Sequence, residues 1–235
     1  MVWKAEELPS RLRVASVVGK RTEKEATELV SKVKERSDGT IPLFVSDNLD
    51  GYPNALLNVY GEREEPKREK KRPGRPRTKP IVKPPADLQY AQVVKRRDEH
   101  GKITSIDRRV VFGTEEKVKE KLGEAGCYTT ISTAHVESDN LMSRQTSSRL
   151  VRDALSFSKE MDALRYQTAL DDVAHNFLRH HDPLRMRLKK LQPTKGKKGT
   201  PKRWMQRTPA MAAGSTDHRW TMEELMTYPI IKSYR

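Results

Sequence analysis

Residues 11–47 open with Arg11-Leu12-Arg13-Val14-Ala15-Ser16-Val17-Val18-Gly19. They pass through Thr22-Glu23-Lys24-Glu25-Ala26 and close on Ile41-Pro42-Leu43-Phe44-Val45-Ser46-Asp47. The first segment is rich in β-branched residues and ends on a glycine, which predicts a strand. Thr22 ahead of an acidic turn predicts a helix start, because its hydroxyl can cap and the acids complement the dipole. Ala26, Leu29, Val30 and Val33 recur at helical spacing, so 23–36 is expected to be an amphipathic helix, stopped by Ser37-Asp38-Gly39. The last segment is a short apolar run, a buried strand with Asp47 at its C-terminal end. Strand, helix and strand joined by short loops predict parallel pairing of the two strands with a helix on one face. The expected class is α/β.

Outward from this unit, Asp50-Gly51-Tyr52-Pro53 predicts a turn, followed by a short helix through Ala55-Leu56-Leu57. Residues 62–86 hold six prolines and no periodicity, which predicts an extended exposed loop. Tyr90 to Arg96 and Ile103 to Phe112 flank Glu99-His100-Gly101 and predict a β-hairpin. Residues 115–123 read as a polar helix and Thr129 to Val136 as a further strand. Two helices follow, over 139–155 and 159–180, the second with Met161, Leu164, Val173, Ala174, Phe177 and Leu178 on one face. Basic residues 185–207 lead to a tail whose Trp204, Trp220 and Leu225 can pin it to the core. The chain thus divides into 1–61, the loop 62–86, a second ordered part 87–182, and a basic C-terminal tail 183–235.

The formal charge of the 235 residues is +15, and it is concentrated. Residues 61–86 carry ten Lys/Arg against four acids, and 178–207 carry eleven against Asp182 alone; the remainder is close to neutral. A basic balance of this kind points to an anionic partner. No stretch approaches the roughly 20 apolar residues of a membrane span, and no apolar leader follows the N-terminus. The expectation is a cytoplasmic, nucleoid-associated protein with no membrane partner. One cysteine, Cys127, excludes an internal disulfide framework and a multi-cysteine zinc ribbon.

Asp47 is the first candidate for chemistry, since open α/β sheets bind ligands beyond the C-terminal ends of their strands. Standing alone it is equally a turn-forming aspartate. Glu137, read as following a strand and opening a helix, is the second; its plain alternative is an acid complementing the helix dipole. Together they suit hard divalent cations, which take carboxylate oxygens. Two such ions about 4 Å apart can clamp the attacking and leaving oxygens of a phosphoryl displacement. Such a centre usually needs three acids.

The loop Lys71-Arg72-Pro73-Gly74-Arg75-Pro76-Arg77-Thr78-Lys79-Pro80 resembles an AT-hook, in which prolines hold the chain extended and arginines enter the narrow minor groove. Arg72, Arg75 and Arg77 are therefore candidate DNA contacts. Arg144, Arg149 and Arg152, read as lying on the helix opened by Glu137, would hold a phosphate backbone against the acids. His135, His175, His180 and His181 make no convincing metal set. No Gly-Lys-Ser/Thr loop for a nucleotide exists, and nothing supports a Ser–His–Asp reading.

Three stretches resemble DDE-type insertion-sequence transposases. They are Phe44-Val45-Ser46-Asp47, then Val136-Glu137-Ser138-Asp139-Asn140-Leu141-Met142-Ser143-Arg144-Gln145, and Leu155-Ser156-Phe157-Ser158-Lys159 with Ala174-His175-Asn176-Phe177. Arg207-Thr208-Pro209-Ala210-Met211-Ala212-Ala213-Gly214 is similar to the C-terminal tail of such proteins. The resemblance implies an RNase H-like mixed sheet flanked by helices, carrying the inserted loop and hairpin. It implies Asp47 and Glu137 as catalytic and metal-binding acids, Mg²⁺ or Mn²⁺ as cofactor, and double-stranded DNA (transposon ends and target) as partner, with a homodimer as a further candidate. The implied reaction is hydrolysis at a transposon end followed by attack of the freed 3′-hydroxyl on target DNA. The sequence departs from the family where its first strand and first Asp belong. Val2–Ala5 and Arg11–Val18 align with the second and third strands, leaving Glu6 or Glu7 as substitutes, and Ser138 stands where an Arg usually follows the Glu. The expectation is a transposase catalytic region truncated at its N-terminus and inactive alone. The alternatives are a DNA-binding protein without catalysis and, on charge alone, an RNA-binding ribosome-associated protein.

Overall fold

The computed structural model describes residues 1–65, 80–126, 130–151, 155–192 and 201–229. Its first element is an antiparallel hairpin, β1 (Val2–Glu7) and β2 (Leu12–Val18). Helix α1 (Glu23–Glu35) follows, with Glu23 and Glu25 in its first turn and Lys32 and Lys34 in its last, each favourable to the dipole. Then come β3 (Leu43–Asp47) and α2 (Gly51–Tyr60). The helix thus begins at Gly51, inside the stretch read as a turn.

The segment 62–86, read as an extended exposed loop, is exposed at its described ends but paired there. β4 (Glu62–Glu64) and β5 (Ile81–Lys83) pair antiparallel as a short stem, closed by a Lys83–Glu64 ion pair of 2.7 Å. The AT-hook-like residues 71–77 lie outside the described residues. The expected hairpin is present as β6 (Gln89–Arg97) and β7 (Ile103–Phe112), and the polar helix as α3 (Glu115–Ala125). Gly113, between β7 and α3, has φ +89, and a Cβ there would stand 1.7 Å from Gln89 Oε1. That oxygen accepts the Thr114 N–H at 3.1 Å, so the turn requires a residue without a side chain.

Two expectations are corrected in the next stretch. No strand occupies 130–136: residues 130–133 are irregular and α4 (Ala134–Thr146) begins at once. Ser132 Oγ accepts the Ala134 N–H at 3.2 Å, and the Glu137 N–H closes on the Thr133 carbonyl at 3.0 Å, so a polar pair starts a helix where β-branched residues suggested a strand. Nor does the helix reach 155, since it ends at Thr146 and a single 3₁₀ turn covers Ser148–Leu150. The next helix, α5 (Met161–Val173), runs on as a π-helical turn over Ala174–Leu178, as the 159–180 reading expected. Its buried residues, however, are Thr168, Asp171, His175 and Asn176, while Met161 is exposed.

The tail is folded in part. β8 (Met186–Gln192) and β9 (Lys202–Met205) form an antiparallel ribbon. Two short helices follow, α6 (Pro209–Ala212) and α7 (Met222–Thr227). Trp220 does pin the end back: its ring lies 4.7 Å from Phe177, and its backbone N–H reaches the Phe177 carbonyl at 3.2 Å. Trp204 does not, being exposed on the ribbon under the Arg185 guanidinium.

The layers are mixed α/β. β6 pairs parallel with β3 on one side and antiparallel with β7 on the other, making a mixed three-stranded sheet flanked by helices. Trp3, Leu29, Val30, Leu56, Leu88 and Tyr90 fill the core between the strands and α1/α2. Ala91, Val118 and Leu122 fill a smaller one under α3. The expected parallel pairing of β2 with β3 does not occur; the parallel partner of β3 is β6, and the β1–β2 hairpin stands as a separate two-stranded sheet. Among the described residues, no helix is long and apolar enough to cross a membrane.

Candidate functional site

The parallel pair β3–β6 sets the position of Asp47. Asp47 lies opposite Val93, the last paired position of β3, while β6 continues four residues further to Arg97. Side chains alternate along a strand, so Lys95 and Arg97 share a face beyond the end of β3. The Asp47 carbonyl accepts the Leu49 N–H at 2.9 Å, which turns the chain sharply toward α2. Beneath this turn runs a chain of polar groups. Ser46 Oγ and the Tyr90 hydroxyl are 2.7 Å apart, Gln92 Nε2 donates to that hydroxyl at 2.7 Å, and Arg109 donates to Gln92 Oε1 and to Asn48 Oδ1. The floor of the crevice is thereby fixed through both strands.

Glu137 enters from the first turn of α4. Its Oε1 accepts a hydrogen bond from Thr133 Oγ1 at 2.6 Å and a close ion pair from Lys95. Arg108 Nε donates to the Ile131 carbonyl at 2.7 Å and holds the preceding segment against β7. The two acids, ninety residues apart in sequence, feel each other's charge. Asp47 is exposed as a residue, yet the crevice walls withdraw its carboxyl from water. That desolvation raises its pKa, Arg21 opposes the rise, and the Glu137 charge adds to it. Glu137 is also pushed up by desolvation, but the hydrogen bonds from Lys95 and Thr133 and the charges of Lys95 and Arg97 outweigh it, leaving its pKa below the ordinary value. The environment therefore treats the pair asymmetrically: Glu137 is held ionised and Asp47 is biased toward the neutral acid.

The remaining sequence candidates are dispersed. Arg144 is exposed in the last turn of α4, seven residues after Glu137 and hence on the same helical face. Arg149 is not on that helix: it sits in the 3₁₀ turn and donates to Ser158 Oγ at 2.8 Å. Arg72, Arg75, Arg77 and Arg152 lie outside the described residues. Glu7 accepts a hydrogen bond from Ser10 within its own turn. Glu6 feels the charges of Asp139, Arg11, Arg13 and Lys4.

These positions test the fit of a two-ion centre. Among the described residues, no group of three or more His, Cys, Asp or Glu side chains could hold a metal ion. One of the two converging acids already has the Lys95 ammonium at its oxygen. As arranged, the donor set does not fit a pair of divalent cations.

The sequence reading missed two things. Lys95, Arg97 and Arg21 surround the acids; the run Lys95-Arg96-Arg97 at a strand end was the available signal. It also missed a buried ionic network behind the hairpin. Arg13 donates to Asp139 through Nε at 2.9 Å and to Asp172 at 3.3 Å, Lys4 pairs with Asp139 at 3.2 Å, and Ser143 Oγ accepts from Arg13 at 2.9 Å. His175 lies beside it, its ring 3.6 Å from Asp139, and burial followed by the Arg13 charge pushes its pKa down to about 3. Comparison of the chain with protein-family models, with curated proteins and with solved structures yields no match in any of the three.

Proposed function

We propose that this chain is a transposase-related DNA-binding protein, built on an RNase H-like scaffold, that holds duplex DNA without performing strand transfer by itself. The relation to transposases rests on the sequence resemblance around Asp47 and Glu137. The observation that carries DNA holding is the β8–β9 ribbon. Arg185, Arg187, Lys189, Lys190, Lys202 and Arg203 are all exposed on or beside it. A two-stranded ribbon is narrow enough to enter the major groove, and cations along it release counterions from phosphate. Its base is anchored by the His181 N–H on the Arg207 carbonyl at 3.0 Å and by Arg207 Nε on the Leu184 carbonyl at 2.7 Å. Arg144 and the cations around Asp47 extend the positive surface on another element.

The absence of catalysis follows from the acid site. Phosphoryl transfer needs charge stabilised at fixed positions on both the attacking and the leaving oxygen. Here Lys95 pairs with Glu137 and, among the described residues, no third acid completes the set. A specific observation favours the rival reading of a residual one-ion site: Asp47 and Glu137 are electrostatically coupled at the strand ends.

The deciding experiment incubates purified protein and its Lys95→Met variant with labelled transposon-end DNA and Mn²⁺. The expected result is DNA binding by both without joined product. Joined product that disappears in Asp47→Asn overturns the non-catalytic reading, and its further loss in Glu7→Gln identifies the third acid. Tighter binding to an RNA duplex than to DNA favours the RNA-binding alternative.

A further inference from the structure

The two halves of the strand layer stop facing each other. β1 ends one half and β3 the other, and among the described residues no strand pairing joins them. Between them lies a slot of about 800 Å³. Lys4 to Glu7 of β1 line one wall and Leu43 to Ser46 of β3 the other. Helix α1 forms one face through Leu29, Val30 and Val33, and the opposite face is formed by Leu122 of α3 and by Thr133 and Val136 at the start of α4. The slot is thus bounded by two strand edges and two helical layers.

The backbone of β1 is open toward it. Met1 and Gly19 exchange both hydrogen bonds, so by antiparallel alternation Trp3 and Ala5 bond to β2 while the N–H and C=O of Val2 and Lys4 point away from it. The outer edge of β2 is treated differently. Asn176 bonds both the N–H and the C=O of Arg13 at 3.0 Å, and Lys32, Arg36 and His175 reach the carbonyls of Ser16, Val14 and Arg11. One edge of the hairpin is therefore closed by side chains, and the other has none on it among the described residues. Glu6, on the slot wall, keeps a buried Oε2 without a hydrogen-bond partner. Unpaired strand edges are templates for another strand.

We infer that this slot accepts one extended β-strand of a separate polypeptide, which bonds to β1 and β3 together and joins the two sheets into one. The walls dictate its chemistry. Residues facing α1 meet Leu29, Val30 and Leu56, and so are apolar. Residues on the other face meet Lys4, Glu6 and Thr133, and so are polar, with a donor placed for Glu6. The occupant is therefore a strand of strict apolar–polar alternation. The described strands of a second copy do not supply it, since each is already paired. The inference stands apart from DNA binding and does not depend on it.

The test is a selection of random octapeptides against the purified full-length chain, with hydrogen exchange measured on the complex of the consensus peptide. Recovered peptides are expected to alternate with period two and to slow exchange at the Val2 and Lys4 amides and along β3. Methylating alternate backbone nitrogens of the peptide, with side chains kept, is expected to weaken binding at least about tenfold, because each lost edge hydrogen bond is felt. Failure to recover alternating peptides, or protection confined to β7 or the β8–β9 ribbon, overturns the inference. So does protection of β1 and β3 in peptide-free protein that sediments as a dimer, which assigns the slot to a second copy.

Discussion

Glu6 shows how a single side chain ties the slot to stability. Burial first, and then the Asp139 charge, raise its pKa from 4.5 to about 7, against Arg11, Arg13 and Lys4. Its folded pKa lies above its unfolded one, so between these values the folded chain binds more protons than the unfolded chain. Stability from this group is full below about 4.5 and is lost as pH rises through 7. Glu6→Gln imitates the neutral acid. It is expected to stabilise the protein at pH 8 by on the order of 1–3 kcal/mol and to change little at pH 4. His175 acts in the opposite sense. It is held neutral with its pKa near 3, so stability falls as the pH drops from 6.5 toward that value, in the variant as in the parent. Denaturant titrations of both proteins at a series of pH values measure the difference. Parallel curves from pH 4 to 8 would show that Glu6 titrates as an ordinary surface acid.

Helices α4 and α5 are docked by charge where hydrophobic packing is the usual means. The buried residues of α4 are Asp139 and Ser143, and those of α5 and its π-turn are Thr168, Asp171, His175 and Asn176. Leu141, Met142, Phe157, Tyr166 and Leu170 are exposed. Removing one partner of a buried pair strands the other charge, at a cost of about 3–5 kcal/mol, whereas replacing both with apolar groups is often neutral. Asp139→Asn is therefore expected to lower stability by about that amount, and Lys4→Met, Arg13→Met and Asp139→Leu together to restore most of it, with Asp172 keeping its hydrogen bond from Ser16; thermal melts of the three proteins measure this. An Asp139→Asn protein as stable as the parent would make the network incidental. The same inversion explains what the sequence concealed. β2, β3, β6, α1 and the Asp47 strand end were legible because apolar periodicity governs them, whereas the exposed strands β4, β5, β8 and β9 carry no such pattern. For α4 and α5 that periodicity points to solvent, so the reading placed apolar residues on the face of α5 that the structure does not bury. The Asp139 contacts with Lys4 and Arg13 join residues more than 120 positions apart, and no local pattern announces them. The missing β2–β3 pairing was equally hidden, because strand–helix–strand order fixes direction but not adjacency.

At the scale of the molecule, charge is segregated by architecture. The described parts of both basic windows include two-stranded pairings, β4–β5 and β8–β9, while the rest of the sequence is near neutral. The described cations on these pairings are exposed, so they are available to a polyanion at little cost to the fold. If the six cations on and beside the β8–β9 ribbon each neutralise one phosphate, log K against log salt has a slope of about −5, and affinity falls roughly a thousandfold from 50 to 200 mM salt. Reversing two of them, Lys189→Glu with Lys190→Glu, is expected to shallow the slope by about 2 at least. The same change should leave the thermal melt in place, because both side chains are exposed. Deleting residues 62–86 is expected to reduce preference for A·T-rich over G·C-rich duplexes more than it reduces total affinity, since a minor-groove arm reads groove width while the ribbon reads charge. Fluorescence anisotropy on both duplexes across a salt series separates the two contributions. A slope unchanged by the double reversal would take the ribbon off the DNA and leave the cations around Asp47 and Glu137 as the surface that holds it. Equal affinity of the intact chain for both duplexes would remove the AT-hook reading of Arg72, Arg75 and Arg77.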